Sequence, residues 1–496
     1  MSAGTAIERE YLVVIGLEVH VQLETATKIF CGCSIDFAED PPNSHTCPVC
    51  LGLPGALPVV NNAAIDAALQ LTKALNGSVP AQTRFHRKNY FYPDLPKNFQ
   101  ISQYDIPVCS NGELTITVGD ERKTIRIERA HLEEDPGRLE HAGGRDIATA
   151  EYTLVDYNRA GVPLVEIVTA PDFRSPKETR AFLAKLEEVL EYLDIFDSSR
   201  DGSLRVDANV SLIPTDELPA DGEPRDEQLA AAKRIEVKNI SSHRGAEKAL
   251  AYEITRQRNA RRRGLDIEQE TRHWDESRGV TVGLRSKEAE ADYRYFPEYD
   301  IPPIAVGERH TTTKIPELPD ARRERFKREY GMNDEEASKL TSSRAVADFF
   351  EAIATDYDPS MAATWVADNL LGELNYRDME ITDVEDRLHE FEHLIALVDH
   401  DAITVKNAEE VVLREMLDAG DDPDTIIARE GLEKSDDETV QAAVRNAIEE
   451  NPDAVADYHA GERGAINFLV GQVMQETNGQ ADPGTVNQLL RSELDQ

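Results

Sequence analysis

The chain has 496 residues, 40% of them apolar, with 54 basic against 94 acidic residues and a formal net charge of -40. That length fits about two to four domains, and no apolar run approaches the ~18 residues of a membrane span. Self-repulsion on this scale is tolerated in high salt, so the charge reads as a salt-adapted surface and argues weakly against a nucleic-acid partner, although a local basic groove still fits one.

The N-terminus lacks a basic segment followed by an apolar core, so no secretory signal and a cytoplasmic location are expected. Tyr11 to Leu23 then alternates. Leu17, Val19, Val21 and Leu23 share one face, and Glu18, His20 and Gln22 share the other. A strand with one apolar and one polar face suits an antiparallel sheet covered on one side.

Four of the five cysteines follow as Cys31-x-Cys33 and Cys47-x-x-Cys50, with 13 residues between the pairs. Gly32, Pro48 and Gly52 supply turns that let paired thiolates converge. The pattern predicts a closed four-thiolate zinc site without chemistry of its own. A redox pair is the rival reading, and Cys109 is left over as a small buried residue.

Arg84 to Lys97 interleaves basic and aromatic residues, including Arg87 and Lys88. The run suits phosphate binding or stacking of a terminal base; a hairpin core flanked by surface charges fits the aromatics equally. Thr124 to Ile127 alternates as a strand. It leads into Glu128-Arg-Ala-His-Leu-Glu-Glu-Asp-Pro-Gly-Arg138, which holds Glu128, His131, Glu133, Glu134 and Asp135. Carboxylates crowded in this way repel one another unless a cation sits among them, and Mg²⁺ takes oxygen ligands. Taken alone, the run reads first as a solvated acidic loop, because acidic runs recur throughout the chain.

Tyr152 to Thr169 reads as two strands around Asp156-Tyr-Asn-Arg-Ala-Gly161, with Glu166 in the returning strand. Ser175-Pro-Lys-Glu178 predicts a capped helix start, with Phe182, Leu186, Val189, Leu190 and Leu193 as its apolar stripe. Leu204 to Ser211 and Ile235 to Asn239 alternate again, turning out Arg205, Asp207, Asn209, Glu236 and Lys238. The acidic stretch between them, Pro214 to Gln228, reads as a surface loop. A second helix starts near Ser242 and ends in Arg256, Arg258, Arg261, Arg262 and Arg263, as the helix dipole favours. No P-loop, dinucleotide fingerprint or Gly-x-Ser-x-Gly elbow occurs.

The prolines from Pro297 to Pro319 mark a boundary, after which the periodicity turns helical. Val346, Phe349 and Phe350 open one stripe, Trp365 falls in the next, and Val411, Val412 and Met416 lie in another. A smaller helical segment follows Ser435. Nothing in this half reads as catalytic.

Seven motifs occur in order: Gly16-Leu-Glu-Val-His20, Arg87-Lys-Asn-Tyr-Phe-Tyr-Pro-Asp94, His131-Leu-Glu-Glu-Asp135, Pro163-Leu-Val-Glu-Ile-Val168, Ser203-Leu-Arg-Val-Asp-Ala-Asn209, Gln269-Glu-Thr-Arg272 and Asp292-Tyr-Arg-Tyr-Phe-Pro297. Over essentially its whole length the chain resembles the B subunits of tRNA-dependent aspartyl/glutamyl amidotransferase, of halophilic archaeal type. The cysteine set is similar to a zinc site of some members.

The resemblance implies an α+β protein: a cradle-like antiparallel-sheet domain over 1–304 with its zinc insert at 31–50, a helical domain over 318–432, and a tRNA-binding helical tail over 433–496. It also implies a heterotrimer with a glutaminase A subunit and a small C subunit. Such a complex uses ATP and Mg²⁺ to activate the side-chain carboxylate of misacylated Asp-tRNA(Asn) or Glu-tRNA(Gln), and ammonia from the A subunit then forms the amide.

Matching motifs place the metal and catalysis on Glu18, His20, Glu134 and Glu166. They place substrate or phosphate contacts on Lys88, Arg159, Glu133 and Asp207. The tail departs from the family's lysine-bearing pattern. Residues 433–496 hold 4 basic and 13 acidic residues, and Glu462, Asn478 and Gln480 stand at the glycine turns. Arg463 and backbone N–H groups are the alternative contacts for tRNA. The related archaeal E subunit carries an inserted domain for which Pro303 to Val346 leaves no room. A non-catalytic tRNA-binding scaffold is the rival from another class, and it gives the carboxylate cluster no purpose.

Overall fold

Alternation along Tyr11–Gln22 buries Leu17, Val19 and Val21 on one face and leaves Glu18 and His20 on the other. This strand is an interior member of an 11-stranded sheet in the computed structural model. The structure describes residues 10–143, 150–200, 202–286, 290–434, 437–462, 464–477 and 480–495. It divides into two units, the first ending at Pro319 and the second starting at Asp320.

The strands are β1 (Tyr11–Gln22), β2 (Gln82–Thr83), β3 (Phe85–Asn89), β4 (Phe99–Gln103), β5 (Cys109–Val118), β6 (Glu121–Glu134), β7 (Arg138–Ala142), β8 (Tyr152–Asp156), β9 (Pro163–Thr169), β10 (Leu204–Pro214), β11 (Ile235–Ile240), β12 (Glu270–Asp275), β13 (Val280–Ser286), β14 (Phe296–Pro297) and β15 (Ile304–Ala305). The main sheet runs β13-β12-β11-β10-β1-β9-β6-β4-β3-β14, with β5 paired to β6. Two separate pairs, β7–β8 and β2–β15, complete the set.

The sheet corrects the expectation of an antiparallel architecture at one place: β11 and β12 pair in parallel. The 20-residue helix α4 (His243–Arg262) joins them, and a crossover of that length is what a parallel pair requires. The other helices of this unit used below are α1 (Asn62–Ala74), α2 (Pro176–Tyr192) and the short α3 (Asp226–Ala231), which closes the acidic stretch read as a loop. Ser175 caps α2 by accepting from Glu178 N, with Pro176 as its first residue. The Glu178 carboxylate turns to Arg174 N and Lys123 Nζ instead, so the expected capping box forms only in half.

Ile65 and Leu69 of α1, Phe182 and Leu186 of α2, and Ala246 and Leu250 of α4 join Val19, Ile167, Val206 and Val237 in one buried cluster. Each of the larger side chains, Ala246 excepted, contributes about 1.5–3 kcal/mol. The helices therefore seal the apolar face of the sheet, and the polar row of β1 and its neighbours is left on the other.

The second unit is helical throughout its described residues. One core gathers Val346, Phe349, Phe350, Trp365, Val412 and Met416, and it ends at Leu432. A separate cluster starts at Val440 and includes Leu469, Val486 and Leu490. Gly420 stops one helix in the left-handed conformation, at φ 76, and Asp422 caps the next with Pro423 at its first position. Arg463 and Asn478 lie outside the described residues. No helix among those residues is long and apolar enough to cross a membrane.

Candidate active site

Register, more than sequence proximity, assembles the polar site. His20 on β1 stands opposite Glu166 on β9, and Glu166 stands opposite His131 on β6. Glu133 lies two residues beyond His131 and so shares its face. His20 Nε2 and His131 Nε2 approach Glu166 Oε2 at 3.5 and 3.4 Å. They approach Glu133 at 3.9 and 3.8 Å. One ligand atom each from His20, Glu133 and Glu166 falls within 4.8 Å of the others, the convergence a metal ion needs.

A second group lies across β1, β10 and β11. Glu18 pairs directly with Asp207, and Asn209 with Glu236. Glu18, Asp207 and Glu236 also bring ligand atoms within 4.8 Å. Lys238 bonds Asp207 and approaches Glu236 at 3.2 Å, while Asn209 Nδ2 donates to Glu18 at 3.1 Å.

The structure thus brings His20 and Glu166 together with Glu133, and sets Glu18 beside Asp207. It does not bring Glu134 to either group. Alternation turns Glu134 to the opposite face, where it accepts from Lys97 Nζ and from Ile101 N at 2.8 Å. The strand also runs further than the acidic run suggests. β6 continues through Glu134 because β9 and β4 pair with its second half. Glu133, Glu134 and Asp135 are consequently buried, which excludes a solvated loop.

Lys88 lies on the polar side. Its Nζ sits 5.0 Å from the Tyr293 ring and 5.7 Å from that of Tyr90, beside a wall in which Tyr104 and Tyr295 stack at 4.1 Å. Its neighbour Arg87 is instead committed to Glu298. Asp135 is a hub, accepting from Gln22 Nε2 at 2.7 Å and Arg205 at 2.6 Å. Arg159 stands 3.7 Å from the same carboxylate and donates to Pro136 O and Gly137 O.

These neighbours set the protonation states. Burial works against a charged imidazole at His20, yet Glu166, Glu133 and Asp207 outweigh it and lift the pKa to about 9. Burial alone pushes Glu166 up, but His131 and His20 hold it well below the usual carboxylate range. Glu18 is raised by burial and then by the charges of Glu166 and Asp207. Lys88 is raised although burial opposes it, because Glu133, Tyr295 and Glu166 favour the ammonium. Crowded carboxylates facing histidines and lysines suit a divalent cation and a polyanionic substrate together. On this face three of the buried nitrogens without a hydrogen-bond partner are His131 Nδ1, Arg129 Nε and Arg205 Nε.

His131, Glu236 and Lys238 belong to these groups although the motifs did not nominate them. Period-two spacing was the available signal: His131 shares a face with Glu133, and Glu236 with Lys238.

The cysteine loop forms the third group. Cys31, Cys33, Cys47 and Cys50 place their sulfurs within 4.8 Å of one another, all as free thiols. The Cys47 and Cys50 sulfurs are 3.8 Å apart, and tetrahedral zinc with Zn–S near 2.3 Å implies a sulfur separation of about 3.8 Å. Cys31 lowers Cys50 to about 4 by hydrogen bonding, with help from Lys28, while burial pushes Cys33 up to about 11.

Residues 13–312 match the family model described as the GatB/GatE catalytic domain, and residues 348–494 match the one described as the GatB domain. The chain is 69% identical over 496 residues to the B subunit of the aspartyl/glutamyl-tRNA(Asn/Gln) amidotransferase of Natronomonas pharaonis, covering 100% of both chains. It is 65% identical to the protein of the same name from Halobacterium salinarum, again over 100% of both. The Methanospirillum hungatei protein of that name is 52% identical, over 97% of this chain and 98% of its own.

Proposed function

The chain belongs to the GatB/GatE family of amidotransferase B subunits, and from that premise we propose that its polar sheet face activates the side-chain carboxylate of misacylated Asp-tRNA(Asn) or Glu-tRNA(Gln) with ATP. The γ-phosphoryl group passes to the carboxylate and ADP leaves. Ammonia then attacks the acyl phosphate, loses a proton, and expels inorganic phosphate as the amide forms. A glutaminase A subunit supplies the ammonia, and a small C subunit completes a cytoplasmic heterotrimer.

The observation that carries this reading is the His20–Glu166–His131–Glu133 row with Lys88 beside it. Attack of an anion on a polyanion needs cations held in place beforehand. Glu133 and Glu166 would hold Mg²⁺, with His20 joining them once the ion displaces its proton, and a second ion at Glu18 and Asp207 would displace Lys238 from Asp207; bound Mg²⁺ would neutralise charge on the phosphates. Glu133 takes the ligand place that motif matching gave Glu134, whose oxygens are already engaged. Lys88 is positioned to meet phosphate, and Arg159 and Arg205 flank the approach through Asp135. Cys31, Cys33, Cys47 and Cys50 would hold a structural Zn²⁺. The helical segment from about residue 433 would bind tRNA.

The test is ATP cleavage by the reconstituted complex, offered each misacylated tRNA in turn. Cleavage that depends on a misacylated tRNA, and is lost in His20→Ala, supports the reading and identifies the substrate. Cleavage unaffected by His20→Ala would place the reaction elsewhere and leave this chain as a scaffold.

A further inference from the structure

Lys28 is fully buried between the cysteine loop and the turn that follows β8. Its ammonium donates to His45 O at 2.7 Å and to Tyr157 O at 3.2 Å, and it lies 3.8 Å from Cys50 Sγ. No carboxylate is among its partners in the described residues. Two carbonyl dipoles do not cancel a buried charge, and a buried ammonium without an anion is expensive. Four thiolates around one divalent cation leave two negative charges uncompensated. The two imbalances meet at Cys50.

We propose that Lys28 is the counter-charge of the four-thiolate zinc centre and, through Tyr157, the positioning residue that ties this centre to the turn carrying Arg159. The proposal rests on the zinc reading above. Four further bonds make the same junction. Ile29 N donates to Gly161 O at 2.9 Å, Tyr157 N to Asn43 Oδ1 at 2.8 Å, His45 N to Asn158 Oδ1 at 2.8 Å, and Asn158 Nδ2 to Pro41 O at 2.9 Å.

Gly161 adopts φ +89 there, and a Cβ on it would meet the Lys28 side chain at 3.5 Å. On its inner side the turn holds the substrate face. Gly161 N donates to Asp135 O at 2.9 Å, and Arg159 grips Pro136 O and Gly137 O. The Asp135 carboxylate then carries Arg205 and Gln22. A metal centre with no chemistry of its own thereby sets the position of two arginines at the reaction face.

The experiment compares full-length wild type with Lys28→Met, which keeps the stem and removes the charge. Zinc loss to a chelator should accelerate roughly tenfold to a hundredfold in the variant, the usual consequence of removing a partner of a metal ligand. With cobalt(II) in place of zinc, the sulfur-to-metal charge-transfer bands should move to lower energy, because Cys50 loses a positively charged donor. In the assembled complex KM for misacylated tRNA should rise more than kcat falls.

Equal zinc retention and unchanged cobalt bands would overturn the role of Lys28 while leaving the zinc reading intact. Wild type that binds no zinc would overturn both. Should Lys28→Met fail to fold, hydrogen exchange of wild type decides: removing zinc should speed exchange at the Gly161 and Val162 amides, and unchanged exchange there would refute the coupling.

Discussion

In the sheet unit Glu133, Glu134, Asp135, Glu166 and Glu236 are all under 8% exposed, whereas among the described residues of the helical unit no carboxylate is buried and Arg322 alone is a buried cation. Both units belong to one very acidic chain, so composition does not explain the contrast. A buried carboxylate costs stability unless something meets its charge. The helical unit avoids that cost by keeping its acids wet, as Glu351 does where it meets Arg322 and Arg325 at the margin of the core. The sheet unit accepts it chiefly on the face where histidines and lysines converge; Glu134 and Glu253 are buried elsewhere, against Lys97 and against Arg256 and Arg272. Buried acid that packing does not need marks the working surface.

Removing divalent cations should break this contrast most severely. Chelation of Mg²⁺ should abolish amidation by the assembled complex, with helical content by circular dichroism unchanged in molar KCl. Activity that survives exhaustive chelation would separate the buried carboxylates from metal binding.

Cys47→Ser comes next. It should reduce bound zinc, measured by atomic absorption, and destabilise the sheet unit by about 2 kcal/mol or more, as loss of a metal ligand does. The helical unit should melt as before. A variant with full zinc content and an unchanged melting curve would show that the four sulfurs are not one centre.

Truncation before Ser435 tests the helical side. Binding of tRNA should weaken about tenfold, or ~1.4 kcal/mol, while Mg²⁺ binding by the sheet unit stays the same. Equal tRNA affinity with and without the segment would remove its assigned role.

The smallest effect is the pH response of Glu351. Burial pushes its pKa up, but Arg325 and Arg322 outweigh burial and hold it below its ordinary 4.5. Its contribution is therefore present above pH 4.5 and lost as pH falls through the lower folded value. For a partly exposed pair this amounts to about 1 kcal/mol or less. Glu351→Gln should flatten the fall in thermal midpoint below pH 4.5, and an equally steep fall in that variant would assign the effect to other carboxylates.

Much of the sheet was legible because single-sided burial imposes alternation on β1, β10 and β11. The end of β6 was not, because Glu133-Glu134 continues the strand without an apolar residue and owes its strand form to β9 and β4. Which of the two adjacent glutamates faces the site follows from alternation with His131 once the strand is known to reach Glu134, and the register with Glu166 agrees. The β11–β12 parallel pairing depends on the route of α4, which no local pattern states. The four cysteines could be read from spacing alone. Lys28 could not, because a single lysine before an apolar residue carries no sign that it will be enclosed.

The most direct test of the central claim, that charge buried on one face of the sheet is the reaction centre, compares two neighbouring glutamates in one assay. Glu133→Gln and Glu134→Gln are each assembled with the partner subunits and supplied with misacylated tRNA, ATP, Mg²⁺ and ammonium, which bypasses the glutaminase. Glu133→Gln should fold normally and lose amidation by roughly 10²–10³, as when an electrostatic transition-state contact is removed. Glu134→Gln should chiefly lower stability, because Lys97 loses its buried counter-charge, and should keep most of its amidation rate while folded. The reverse ranking, an active Glu133→Gln beside a stable but inactive Glu134→Gln, would contradict the assignment of the reaction to the His20–Glu133–Glu166 face.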